Sequence, residues 1–272
     1  MKDMRFIIII PFYNAKDFLR ECSDSILSQT YPNWLAVFAD DHSEDGSSAV
    51  IPKDDRIITM YNESRVTALP NIARAILQSG IEYFDDDVIC LVDGDDKLLR
   101  PDALEIVANL YRANPRCLLT YGQYVNSTGG AGSNLFYTRE EFEDLRNKGF
   151  RIKHLQTFKW KLFKEFLKQD PDLQAYKDAN GRFFTMAYDV AILFPLAEIA
   201  GYPNIAVNPI PVYWYRVYDK NDEAIDKSGQ NLISLQIRAK PRFNPTFLPF
   251  YYRLYLYFYR SIRNFYRQIK RA

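Results

Sequence analysis

VICLVDGDD, residues 88–96, is a run of five apolar residues that stops abruptly at Asp93-Gly94-Asp95-Asp96. An uninterrupted apolar run of this length, β-branched at both ends, reads as a strand buried on both faces, the environment of a parallel sheet. Residues 5–10 (RFIIII) form a second such run, stopped by Pro11, and residues 35–39 and 57–61 form two more. Between them, residues 15–29 place Phe18, Leu19, Cys22, Ile26 and Leu27 at helical spacing, and another helical pattern ends at Gly80. Pro101 suits the first turn of a helix reaching about Arg112, after which residues 117–125 resume as strand. Alternation of this kind predicts an α/β fold, a mostly parallel sheet flanked by helices.

After Asn126 the alternation stops. Residues 127–133 hold three glycines and read as a mobile loop, a candidate lid. Residues 152–168 carry a basic, aromatic helical pattern, and residues 186–199 an apolar helix. Pro209 and Pro211 precede a strand expected at residues 212–217.

Composition excludes several classes. With 272 residues, 47% apolar and 25% charged, the chain has an ordinary globular balance. Three Cys without paired spacing argue against a disulfide framework, and two His against a zinc site. No stretch of 18 apolar residues spans a membrane, and the N-terminal apolar run is too short for a signal sequence. The chain therefore reads as cytoplasmic. The net charge of +1 hides an asymmetry. Residues 238–272 hold nine Lys or Arg and no Asp or Glu, which leaves residues 1–237 at −8. A mildly acidic body carries a basic tail.

In open α/β sheets, ligands bind beyond the carboxyl ends of the strands. Those ends read Pro11-Phe12-Tyr13-Asn14, Asp40-Asp41, Asn62, and Asp93-Gly94-Asp95-Asp96. Turn and cap preference accounts for Asp45 and Asp102, but does not demand doubled acids at two strand ends. Neither G-x-G-x-x-G nor G-x-x-x-x-G-K-[ST] is present, so a dinucleotide fingerprint and a P-loop are excluded. A nucleotide bound here needs its phosphates neutralised otherwise, and Mg²⁺ or Mn²⁺ bridging carboxylate and diphosphate oxygens does so. His42 beside Ser43 is no nucleophile pair, since no G-x-S-x-G elbow exists.

IIIIPFYN, then ADDHSEDGS, then CLVDGDD, in this order and spacing, resemble the successive signatures of family 2 glycosyltransferases, inverting enzymes of GT-A fold. HLQTFKWKLF at 154–163 and GRFFTMAYDVAILFPLAEIAG at 181–201 resemble acceptor-side blocks of that family, so the likeness covers roughly residues 5–220. It implies a nucleotide-sugar-binding half over residues 1–125, an acceptor-binding and catalytic-base half over 126–237, and a tail over 238–272. Pro11, Tyr13 and Asn14 would line the nucleotide pocket, and Asp40 would accept from a base ring N–H with Asp41 supporting the loop. Uracil, thymine and guanine all offer that N–H; UDP is the donor favoured. In the D-x-D element, Asp93 would face the ribose, Gly94 would fill the turn, and Asp95 would be the metal ligand. Asp189 would be the base, with Asp178 and Asp222 next in line. Where the family often has Ala-Arg-Asn, this chain has Leu69-Pro70-Asn71. Asn71 is kept, and Arg65 or Arg74 is left to stand for the lost Arg.

The residues support Asp189 independently. Inverting transfer needs one base for the acceptor hydroxyl, and an acid opening an apolar helix suits both burial and the helix dipole. The acceptor expected is a surface polysaccharide or a lipid-linked glycan. Two rivals stand beside this. A sugar-1-phosphate nucleotidylyltransferase would want a Gly-rich loop where Pro11-Phe12-Tyr13-Asn14 stands, and a non-catalytic glycan-binding relative would not need Asp93, Asp95 and Asp189 intact.

In the tail, about 100° per residue places Tyr251, Leu254, Phe258, Ile262, Phe265 and Ile269 on one helix face. Arg253, Arg260, Arg263, Arg267, Lys270 and Arg271 fall opposite. Residues 241–272 thus read as an amphipathic helix for an anionic membrane surface, peripheral on the inner face of the cell membrane. A helix docked on its own domain is the competing expectation. No nucleic-acid module is recognisable, and nucleic acid is not an expected partner.

Overall fold

The computed structural model describes residues 4–132, 136–218 and 226–269, with the side chains of residue 260 and of 262–269 outside the description. Ser133, Asp222, Lys270 and Arg271 therefore lie outside the described residues. So do the side chains of Arg260, Ile262, Arg263, Phe265, Arg267 and Ile269.

Among the described residues the strands are β1 (Phe6–Phe12), β2 (Trp34–Asp40), β3 (Ile57–Tyr61), β4 (Val88–Leu91), β5 (Lys97–Leu98), β6 (Leu119–Asn126), β7 (Gln156–Lys159) and β8 (Ile205–Tyr215). The helices are α1 (Lys16–Leu27), α2 (Ala68–Gln78), α3 (Ala103–Ala113), α4 (Arg139–Phe142), α5 (Trp160–Gln169), α6 (Tyr188–Ala200), α7 (Lys227–Ala239) and α8 (Phe250–Ile269). One eight-stranded sheet runs β3-β2-β1-β4-β7-β6-β8-β5. The β1–β2, β2–β3, β1–β4 and β6–β8 pairs are parallel, and β4–β7, β6–β7 and β5–β8 are antiparallel.

Every residue of β1 is buried, because both sheet faces are covered. Ile7, Ile9, Val37, Ile89 and Leu91 face the layer of α2, α5 and α6. Phe6, Ile8, Ile10, Phe38 and Cys90 alternate to the other face, under α1 and α3. Helix α6 is buried from Val190 to Ala200, as its nearly all-apolar circumference requires.

Three local expectations change. The pattern at 152–168 splits into β7 and α5. Residues 156–159 pair antiparallel with both β4 and β6, a long-range pairing that local helical spacing cannot reveal. Strand β8 begins at Ile205 and takes in both prolines. The β6–β8 register shifts between Tyr121 and Tyr124, and Asn208 bonds the backbone of Ile210 in both directions, so the irregularity accommodates the missing N–H groups. Residues 126–132 form a bonded turn, with the Asn126 carboxamide oxygen accepting from Thr128 N, Thr128 Oγ1 and Gly130 N.

The body extends beyond residue 238. Arg146 is buried in a two-pronged pair with Glu198 of α6 (2.7 and 2.8 Å) and donates to the carbonyls of Ile237 and Lys240 at 2.7 and 3.1 Å. Phe243 N donates to the same Glu198 carboxylate at 3.1 Å, and Leu248 is buried against Gly201.

Candidate active site

The parallel strands set the site. Phe12 at the end of β1 lies in register with Asp40 at the end of β2, and Ile9 with Leu91 of β4, so three strand ends share one edge. The loops that leave this edge carry the polar residues singled out above.

Asn14 adopts a positive φ of 48°, tolerable for Asn. Its N–H donates to Ser43 Oγ and its side-chain oxygen accepts from Glu44 N, both at 2.9 Å, which ties the β1 loop to the β2 loop. Asp40 is buried; it accepts from Ser43 N at 2.8 Å on one oxygen and from the Ser48 hydroxyl on the other. Asp41 is saturated by three donors, Asn62 Nδ2, Val66 N and Thr67 N, at 2.7–2.9 Å. Its charge therefore fixes the 62–67 loop. Asn71, also buried, donates to the Ala39 carbonyl at 2.7 Å and accepts from Asn62 at 3.0 Å. Asp41 and Asn71 thus brace the rim from behind, while Tyr13 stands on it, 37% exposed.

The two candidate arginines separate cleanly. Arg65 lies over the Tyr13 ring, 3.9 Å from its centroid. Arg74 donates instead to the Tyr61 carbonyl at 2.8 Å and to the Asn62 side chain.

At β4, Gly94 packs directly on β1. Its N–H donates to the Pro11 carbonyl at 3.1 Å, and a Cβ there would sit 2.6 Å from Phe12 Cβ. Only glycine fits, and Pro11 contributes as a wall and through its carbonyl. Asp93 N donates to the Tyr213 hydroxyl at 3.1 Å, and Asp93 Oδ1 accepts from the Tyr188 hydroxyl at 2.5 Å. Burial and the neighbouring Asp93 charge push the Tyr188 phenol well above its usual range, so it stays a donor. Asp95 accepts from the Tyr218 hydroxyl at 2.9 Å, and burial raises its carboxyl. Arg216 holds the loop from outside. Its Nε donates to the Asp95 carbonyl and its backbone N–H to Asp96 Oδ1, both at 2.7 Å.

Asp189 stands half-buried at the first turn of α6, where its Oδ1 accepts from Val190 N at 2.8 Å. Burial raises its carboxyl, and the Lys153 charge pulls the other way. Its chain neighbour Tyr188 makes the bond to Asp93, so the first turn of α6 is tied to the acidic loop. Asp178 instead caps its own turn through Asn180 N and Arg182 N and is paired with Arg182.

Among the described residues, no three His, Cys, Asp or Glu side chains are arranged to hold a metal ion alone. Asp95 nonetheless fits a hard divalent cation. It is an oxygen donor in a buried acidic loop, where burial and then the neighbouring Asp93 and Asp95 charges push Asp96 well up as well. A bound diphosphate would have to supply the remaining ligands.

Residues 7–167, more than half of the chain, match the family described as glycosyl transferase family 2. The chain belongs to that family. Among the relatives of this family 2 glycosyltransferase is TuaG of Bacillus subtilis (strain 168), a glycosyltransferase named for teichuronic acid biosynthesis. It is 31% identical over 102 residues, 36% of this chain and 38% of TuaG. Of solved structures, S. aureus TarS 1-349 in complex with UDP-GlcNAc superposes with a TM-score of 0.57 at 16% identity, over 80% of this chain and 60% of that one. The mannosyltransferase PcManGT from Pyrobaculum calidifontis, in complex with GDP-Man and Mn²⁺, gives a TM-score of 0.53 at 18% identity, over 81% and 59%. The chain therefore spans less than two thirds of each. The likeness to these structures establishes the GT-A fold.

Three residues of this family 2 chain escaped the sequence. Tyr188, Tyr218 and Lys153 reach the site from segments more than 50 residues away from the acidic loop, and no short motif marks them. A polar residue flanking the proposed base was the one available signal for Tyr188.

Proposed function

We propose that the chain transfers a sugar, with inversion, from a nucleoside diphosphate to a hydroxyl of a glycan or lipid-linked acceptor during polysaccharide synthesis, on the cytoplasmic side of a membrane. UDP is the donor we favour. The observation that carries this is the Tyr188–Asp93 hydrogen bond, which ties the first turn of the helix bearing half-buried Asp189 to the acidic strand end. The named roles of TuaG and the donors bound to TarS and PcManGT support it.

In this reading the nucleotide enters between Tyr13 and Asp40, with Asp93 toward the ribose and Asp95 toward the diphosphate. A divalent cation held by Asp95, Mn²⁺ or Mg²⁺, neutralises the diphosphate when bound and stabilises the charge that develops on the leaving oxygen. Asp189 takes the proton of the acceptor hydroxyl as its oxygen attacks the anomeric carbon. The new C–O bond forms as the bond to the diphosphate oxygen breaks on the opposite face, which inverts that carbon.

A screen of nucleotide-sugars for Mn²⁺-dependent binding and turnover tests the reading, with Asp95→Ala as its control. Calorimetry with UDP and Mn²⁺ should show metal-dependent affinity lost in the variant. Unchanged affinity would remove Asp95 from the role, and donor binding without turnover of any acceptor would favour the non-catalytic glycan-binding alternative.

A further inference from the structure

The sequence leaves two uses for the C-terminal helix open, docking on its own domain or lying on a membrane, and they require different faces to be covered. Docking would cover the apolar face of Tyr251, Leu254 and Phe258. The structure leaves these three 73%, 46% and 56% exposed. The body is met instead through Leu256, which is buried, and through Tyr252, over whose ring the Arg139 guanidinium sits at 4.7 Å. Leu256 is turned about 140° from Tyr251 on the helix. The apolar face thus points away from the protein that carries it. Phe250 and Tyr257, at 71% and 68% exposure, widen it. Contiguous exposed aromatic surface of this kind marks an interaction site.

The occupant must be both apolar and anionic. From residue 250 onward the chain has six Lys or Arg and no Asp or Glu, which disfavours a second copy of the same helix and suits a negatively charged surface. No helix among the described residues is long and apolar enough to cross a membrane. We propose that α8 is an interfacial helix that seats the Tyr251–Leu254–Phe258 face in an anionic phospholipid surface, with the GT-A body standing on its opposite side. Charge draws the helix to the headgroups and the aromatic face holds it there. Residues 237–248 are bonded into the body through Arg146 and Glu198, and Leu248 is buried, so the helix leaves from an anchored segment. The inference does not depend on the transferase reading, and either can fail alone.

The full chain should co-sediment with phosphatidylglycerol vesicles at low salt, weaken at high salt, and bind phosphatidylcholine vesicles far less. Combined Tyr251→Ser, Leu254→Ser and Phe258→Ser should lower partitioning roughly tenfold or more, with the melting temperature unchanged because those side chains are already exposed. Failure of the full chain to bind phosphatidylglycerol would overturn the proposal. So would equal binding by the triple variant, or a dimer that the triple variant dissolves.

Discussion

The Tyr188 hydroxyl donates to Asp93 Oδ1 at 2.5 Å and so joins the first turn of α6 to the end of β4, segments 95 residues apart. A charged acceptor makes this bond stronger than a neutral one. It orients Asp93 and ties to it the helix turn that also carries Asp189.

Tyr188→Phe keeps the ring and removes only the donor. Losing a hydrogen bond to a carboxylate costs about 1.5–3 kcal/mol, or roughly ten- to hundredfold if expressed in the rate. The expected result is a kcat/KM lower by that factor, with donor affinity weakened because Asp93 loses its orienting donor, measured once a donor and acceptor pair is in hand. A variant with normal kcat/KM would show that the bond serves folding alone.

Asp189→Asn should keep donor affinity and lower turnover by roughly 10²–10⁴, since the amide cannot take a proton. Burial raises the Asp189 carboxyl, so its active, charged form is lost as pH falls through a value above the ordinary 3.9 or so. The acid limb of kcat/KM should therefore lie above that value. Stability runs the other way: a raised carboxyl contributes stability below its unfolded pKa that is lost as pH rises through the folded one. Asp189→Asn should then be at least as stable as the parent at neutral pH, with the gap closing on acidification. A variant that melts well below the parent at pH 7 would contradict this.

What was legible in the sequence was what local pattern encodes. The buried strands β1, β2 and β4, the doubled acids at strand ends and the apolar helix behind Asp189 all follow from runs of adjacent residues and stand in the structure. Strand β3, read as equally buried, is instead a sheet-edge strand only partly covered. What escaped was set by long-range pairing. Strand β7 is a strand because β4 and β6 lie on either side of it, and Tyr188 and Tyr218 matter because the fold returns them to the acidic loop. The tail shows the same division. Its amphipathic face could be counted off at helical spacing, whereas which face the body covers depended on where residues 237–248 anchor it.

Arg65 and Arg74 offer a direct comparison. Arg65→Ala should weaken UDP binding, since its guanidinium lies on the exposed ring of Tyr13 at the rim, within the region proposed for the nucleotide. Loss of a charge-assisted contact to the diphosphate would cost about 1.5–3 kcal/mol of affinity. Arg74→Ala should instead lower the melting temperature, because it removes the donor to the Tyr61 carbonyl and the Asn62 side chain. Calorimetry and thermal melts on both variants distinguish them, and a reversal of the two effects would reassign the arginines.

His154 is a sensor of acid stability that the site does not need titrated. Its ring stacks on Tyr213 with centroids 4.4 Å apart, and Nδ1 has no hydrogen-bond partner among the described residues. Burial, aided by the Lys153 charge, lowers its pKa to about 3. The depressed value means that folding keeps the imidazole neutral. The stability this preserves is complete above the unfolded pKa near 6.5 and is lost as pH falls toward the folded one. Within that window the unfolded chain binds a proton that the folded chain refuses, which removes at most about 1.4 kcal/mol per pH unit. His154→Phe keeps the stacking and deletes the titration. Its unfolding free energy, followed by urea at pH 7, 6, 5 and 4, should fall less steeply than that of the parent, and parallel declines would show that His154 is protonated without cost to the fold.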